Sequence, residues 1–324
     1  MPRWTMVQAI NAGLRAALTE DEDVLVMGED VGVLGGVFRV TDSLQHEFGA
    51  ERVIDTPLGE SGIVGCAIGL AYHGFRPVCE IQFDGFVFPA FNQITSQLAR
   101  FRRRTDGAVA MPVVVRIPYG GGIGAVEHHG ESPEAYFTGT AGLRVVTPSD
   151  PQDAYFLTQQ AIRCEDPVVV FEPKRRYWEK AEVDVDATPA PMDRCVVRRA
   201  GTDATLITYG PMVRVCEEAA AAAEEEGTSL EVLDLRSLAP LDVSGILASV
   251  RRTRRAVVVH EAPTTLGPGA EVAARLSEAL YYEMEAPVLR VGGFDTPFPP
   301  ARAEQQYLPD VDRILDAVDR SVAA

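Results

Sequence analysis

Between residues 23 and 173, five short apolar runs alternate with longer stretches of helical pattern. This alternation narrows the fold more than any other feature of the chain. The runs are DVLVMGED (23–30), RPVCEIQF (76–83), MPVVVRIP (111–118), LRVVTP (143–148) and DPVVVFEP (166–173), each ended by Gly, Pro or an acid. Continuous rather than alternating hydrophobicity marks strands covered on both faces. PAFNQITSQLARFRRR (89–104) and PQDAYFLTQQAIR (151–163) read as helices between them. Such a series predicts a parallel sheet in an α/β domain.

At 324 residues the chain exceeds the usual span of one hydrophobic core, so a second domain is expected. The alternation breaks at EKAEVDVDATPAPMDR (179–194), which reads as a surface linker. We therefore expect a first domain over 1–178, a linker over 179–200 and a second α/β domain over 201–324. In the second, strand patterns at 204–210, 229–238, 255–261 and 286–293 are separated by helices at 212–226, near 243–252 and near 269–283. The N-terminal segment MPRWTMVQAINAGLRAAL carries Met6, Ile10, Leu14 and Leu18 on one helical face and lacks the pattern of a secretory signal, so a cytoplasmic location is expected. Five cysteines without paired or metal-ligand spacing fit a reducing compartment. A formal charge of −17 argues against broad contact with nucleic acid or anionic membrane. The basic clusters at 100–104, 173–176 and 250–255 read as solvated faces against that background.

One carboxylate stands out. In TPLGESGIVG (56–65), Glu60 lies between glycines at the head of an apolar segment spaced by Gly62, Gly65 and Gly69. The helix dipole alone would favour an acid in a first turn, by about 0.3–1 kcal/mol. Farther on, GGG at 120–122 follows a strand without the spacing of a dinucleotide or nucleotide-phosphate loop, so a turn or close backbone approach is the plain reading. Beyond it, GIGAVEHHGESPEAYF places His128 and His129 past a strand's carboxyl end, where open α/β sheets put their active sites.

Taken in order, MGEDVGVLGGVFRVTDSL, RVIDTPLGESGIVGCAIGLA, EIQFDGFVFPAFNQI, EHHGESPEAYF, DPVVVFEPKRRYW, EVLDLRSLAPLD and GFDTPFP closely resemble the β subunit of the E1 component of thiamine-diphosphate-dependent 2-oxo acid dehydrogenases. The resemblance covers essentially the whole chain. It implies a pyrimidine-type cofactor domain followed by a transketolase C-terminal-like domain. By the same resemblance, Glu60 hydrogen-bonds N1′ of the aminopyrimidine, and Leu58, Gln82, Phe83 and Phe86 line the cofactor pocket. Phe86 stands where many members carry tyrosine, so the stacking face is kept and the hydroxyl lost. His129 corresponds to a histidine that engages the lipoyl acceptor and protonates its dithiolane sulfur. Many members follow that histidine with Ser-Gln, whereas this chain has Gly130-Glu131.

Single-chain thiamine enzymes carry a GDG that helps hold metal and diphosphate, and no GDG occurs in the sequence. The resemblance thus implies an α subunit binding Mg²⁺ and diphosphate, a shared site in an α₂β₂ heterotetramer, and an E2 acyltransferase as acceptor. It further implies a structural potassium ion held by backbone carbonyls of Met111, Val113, Val114, Ala161, Cys164 and Asp166. GGVFR, SPEAYF and GFDTPFP favour branched-chain 2-oxo acids as substrates, with pyruvate the alternative. A non-catalytic scaffold that docks E2, and half of a two-gene transketolase, are the readings from other classes. Glu60 and His129 disfavour the first, GGVFR and HHGESPEAYF the second.

Overall fold

The computed structural model describes every residue except 127. Its core is a seven-stranded sheet in the order Ser237–Ala239, Arg144–Val146, Val168–Pro173, Val114–Tyr119, Arg76–Glu80, Val24–Gly28 and Val53–Asp55. All neighbours run parallel except Ser237–Ala239, which is antiparallel to Arg144–Val146. The central strands Val24–Gly28, Val114–Tyr119 and Val168–Pro173 are buried at every position, which is why their sequences are continuous apolar runs. The helix Met6–Glu20 covers one face. Met6, Ile10, Leu14 and Leu18 point inward, and a capping box between Thr5 and Gln8 starts the helix.

Residues 89–104 do not form one helix. A 3₁₀ segment, Asp84–Ala90, leads into a π-helical stretch, Gln93–Leu98, and a short α-helix, Ala99–Arg104. Pro89 lies within the 3₁₀ segment, where its ring and missing N–H oppose continuation of an α-helix.

The second domain holds a five-stranded sheet ordered Leu289–Gly293, Ala256–Pro263, Ala204–Thr208, Leu230–Asp234 and Val196–Arg199, the last antiparallel. The segment expected to be a linker is structured at both ends. Lys180–Glu182 pairs with Arg3–Thr5, and Val196–Arg199 forms the sheet edge. Beyond the expected elements, the C-terminal helix Val311–Val322 is capped by Asp310 and buries Ile314, Ala317, Val318 and Ser321. Among the described residues, no helix is long and apolar enough to cross a membrane.

The two domains share a polar interface. Tyr209 Oη donates to Glu134 Oε1 at 2.7 Å, Ser149 to Asp234 at 2.5 Å, and Arg236 to Asp153 at 2.8 Å. The 173–176 cluster belongs here rather than on a solvated face: Lys174 and Arg176 are buried, and Arg175 pairs with Glu261 at 3.0 Å. The other two basic clusters are largely neutralised, with Arg102 on Asp166, Arg252 on Glu231, and Arg254 and Arg255 on Glu285.

Burial pushes the Glu134 carboxyl up to about 7, opposed by the Tyr209 hydrogen bond and aided by Glu261 and Asp84. A carboxyl raised in the folded state keeps its proton while the unfolded chain loses its own. Stability therefore falls as pH rises from about 4.5 to about 7. Glu134→Gln, which cannot ionise, should flatten that part of the pH–stability curve by up to about 3 kcal/mol. Parallel wild-type and variant denaturation curves across this range would refute the assignment.

Candidate active site

The site lies at the carboxyl ends of Val24–Gly28, Val53–Asp55 and Arg76–Glu80. The chain places Val53–Asp55 on one side of Val24–Gly28 and Arg76–Glu80 on the other. Such a reversal of strand order opens a crevice in an α/β sheet. Three connections descend into it: residues 29–30, residues 56–60 and residues 81–86.

Glu60 opens the helix Glu60–Tyr72 and is 8% exposed. Gly59 caps this helix without a side chain, and a Cβ at Gly59 or Gly62 would meet no atom within 4 Å. The carboxylate therefore sits at a positive helix end beside open space. Sequence reasoning passed over Glu29, which adjoins it. Its Oε1 accepts the Gly59 N–H at 3.3 Å, and its backbone carbonyl accepts Gln82 Nε2 at 2.6 Å. Burial raises the Glu29 carboxyl, the Gly59 N–H lowers it, and Glu60 and Asp30 raise it again. The signal was the acid pair in MGED, directly after a strand and thus at its carboxyl end.

Phe83, Phe86 and His129 come together. The His129 ring lies 5.5 Å from Phe83 and 5.3 Å from Phe86, edge-on to both. Phe86 is 39% exposed and Leu58 84% exposed, so both present apolar surface outward. Gln82 is half-buried, and its Nε2 donates to the Glu29 carbonyl at 2.6 Å, which ties the loop before Phe83 to the one carrying Glu29.

Beneath these rings lies a buried ion pair, Lys174 with Asp84. Lys174 Nζ also donates to the His129 carbonyl at 2.7 Å and stands 5.6 Å from the Phe83 ring centre. Asp84 Oδ2 accepts the Glu131 N–H at 2.7 Å. The backbone from the His129 carbonyl to the Glu131 N–H is thus anchored to one pair of opposite charges.

Met111, Val113, Val114, Ala161, Cys164 and Asp166 lie apart from this cluster. They sit at the amino end of Val114–Tyr119 and around the end of the helix Pro151–Arg163. The carbonyls of Met111, Val113 and Ala161 each accept one backbone N–H. Arg76 Nη1 lies 3.1 Å from the Ile162 carbonyl and 3.5 Å from that of Cys164, while Arg102 and Arg144 hold the Asp166 carboxylate. Carbonyl oxygens keep a second lone pair, so the donors suit a hard cation in chemistry. Positive charge is already supplied there by three guanidinium groups.

The two-domain α/β architecture is that of the transketolase-like class. Family models bear this out: the pyrimidine-binding domain of transketolase matches residues 3–179, and the transketolase C-terminal domain matches residues 193–314. A split-gene transketolase, described as an inactive β₄ tetramer, shares the fold with a TM-score of 0.80 at 23% identity over 98% of both chains. Within that class the chain belongs to the E1 β subunits of 2-oxo acid dehydrogenases. It is 62% identical to the pyruvate dehydrogenase E1 component subunit beta of Leifsonia xyli, over 98% of this chain and 94% of the relative. It is 58% identical to the 3-methyl-2-oxobutanoate dehydrogenase subunit beta of Mycobacterium tuberculosis, over 98% and 91%. The pyruvate dehydrogenase E1 component subunit beta of Staphylococcus epidermidis is 48% identical over 98% of both chains.

Proposed function

We propose that this chain, paired with an α subunit, catalyses oxidative decarboxylation of branched-chain 2-oxo acids and transfer of the acyl group to a lipoyl acceptor on E2. The observation that carries the reading is the packing of Phe83 and Phe86 on His129 together with Glu29 at the start of the Glu60 helix, the two groups joined by Gln82, whose amide reaches the Glu29 carbonyl. Thiamine diphosphate supplies the electron-accepting carbon when bound. Its aminopyrimidine suits the open space beside Gly59 and Gly62 and the exposed face of Phe86. Glu60 would hold and exchange a proton at N1′, while Leu58 and Phe83 exclude water. His129 would hand a proton to the sulfur released as the dithiolane S–S bond breaks, while the other sulfur takes the acyl group. Pyruvate is the second reading, favoured by the name of the 62% identical relative. Co-expressed α and β chains assayed with a panel of 2-oxo acids and an artificial electron acceptor test the proposal. Turnover of none of them would overturn it, and a higher kcat/KM for pyruvate would select the alternative.

We place Mg²⁺ and the diphosphate on the α subunit because GDG is missing here, and assign the assembly as α₂β₂. The helix Glu60–Tyr72 supports an interface. A Cβ at Gly62 or Gly69 meets nothing within 4 Å, and Cys66 and Tyr72 are exposed along the same helix. Gly69→Leu should improve intrinsic helix propensity by up to about 1 kcal/mol. Loss of assembly in this variant, measured by sedimentation of co-expressed chains, would therefore reflect blocked packing. An intact heterotetramer would remove this helix from the interface.

A potassium ion on the carbonyls of residues 111, 113, 114, 161, 164 and 166 is also proposed. It should make the melting temperature higher in potassium than in sodium chloride at equal ionic strength, and equal values would exclude it. The cytoplasm is the proposed location, supported by five unbridged cysteines.

A further inference from the structure

The glycine-rich stretch after Tyr119 resembles a cradle for a phosphate, yet its N–H groups are already occupied by carboxylates of the second domain. Gly121 N–H donates to Glu261 Oε2 at 3.1 Å. Gly122 and Gly124 donate to the two oxygens of Glu304 at 2.6 and 3.0 Å. Glu304 is 3% exposed, so these bonds lie in a dry setting.

Phe298, from the GFDTPFP motif, supports the same loop at two places. A Cβ on Gly121 would come within 2.7 Å of its ring, and one on Gly130 within 2.5 Å. The ring thus fills the space that side chains at 121 and 130 would take. Gly130 follows His129 directly. The loop is closed on itself where Gly120 N–H meets the Glu131 carbonyl at 2.9 Å. Its far end is held by Lys174 and Asp84.

We propose that Glu304 and Phe298 are positioning residues for His129, through which the second domain sets the geometry of acyl transfer. This rests on the reading of His129 given above. Neither side chain needs to touch the acceptor. Glu304 fixes the start of the loop, Phe298 its two glycines, and the imidazole is delivered against Phe83 and Phe86 as a result.

The test uses the assembled α–β enzyme with Glu304→Gln and Phe298→Leu, the first nearly isosteric and the second retaining apolar bulk. An amide offers only one acceptor and turns an NH₂ toward a backbone N–H, so one of the two loop bonds must fail. The expected result is a fall of about 10- to 100-fold in kcat for acylation of a lipoyl domain relative to decarboxylation with an artificial oxidant, the scale that misplacement of a reacting group by about 1 Å produces. KM for the lipoyl domain should stay within about 2-fold, since the acceptor's own contacts are unchanged. In His129→Ala, adding Glu304→Gln should cost nothing further, because residues acting as a unit are not additive. Multiplying losses in the double variant, or an unchanged ratio of half-reactions in both single variants, would overturn the proposal and leave the role of His129 standing. An unselective His129→Ala would instead remove the reading of His129, and the proposal with it.

Discussion

Glu60→Gln is expected to lower kcat for decarboxylation by about 10² to 10⁴ in the assembled enzyme, the usual worth of a positioned acid–base group. The substitution keeps the size of the side chain and its ability to hydrogen-bond, and removes only its capacity to exchange a proton. Its cost to folding should be small. The cap residue of its helix is Gly59, and the lost dipole interaction is worth about 0.3–1 kcal/mol. That corresponds to a shift of at most about 2 to 4 °C in melting temperature. Turnover close to wild type in the reconstituted enzyme would show that the carboxylate only decorates a helix end, and the cofactor assignment would go with it.

His129→Ala should separate the two halves of the reaction. The imidazole packs on Phe83 and Phe86 and belongs to a different loop from Glu60, so decarboxylation with an artificial oxidant should survive in part. Reductive acylation of a lipoyl domain should fall further, by about 10² to 10⁴. Phe86→Ala provides the contrast, since losing an exposed aromatic wall loosens cofactor positioning and slows both half-reactions alike. Equal losses in the two half-reactions for His129→Ala would move the histidine to an earlier step, such as holding the 2-oxo acid.

Much of this architecture was legible in the sequence because burial on both faces leaves continuous apolar runs. The strands at 24–28, 114–119 and 168–173 stood out for that reason, as did the inward stripe of Met6, Ile10, Leu14 and Leu18. Of the candidate site, the motifs around residues 86 and 129 led to side chains that pack together, Phe86 on His129, and Glu60 heads the helix its motif opens. What stayed hidden depended on long-range pairing. A three-residue strand such as Ser237–Ala239 has no period to detect, and only its partner at 144–146 makes it a strand. The cluster at 173–176 looks solvated until Asp84 and Glu261 arrive from 90 and 86 residues away. The GGG stretch reads in sequence as a turn or a close backbone approach, and only the fold reveals Glu261, Glu304 and Phe298 as what approaches.

The antiparallel strand Ser237–Ala239 completes the first domain's sheet from within the second domain. A fragment ending near residue 200 would leave Arg144–Val146 as a bare edge, a template for pairing with other chains. Expressed separately, the N-terminal portion should therefore tend to aggregate rather than behave as an independent module. During synthesis, the outer strand of the first sheet cannot be laid down until residue 239 has left the ribosome, about 65 residues after the preceding strand of that sheet ends at Pro173. Until then the nascent chain carries an exposed seam. Separating the two portions therefore means unzipping the Ser237–Ala239 strand from Arg144–Val146.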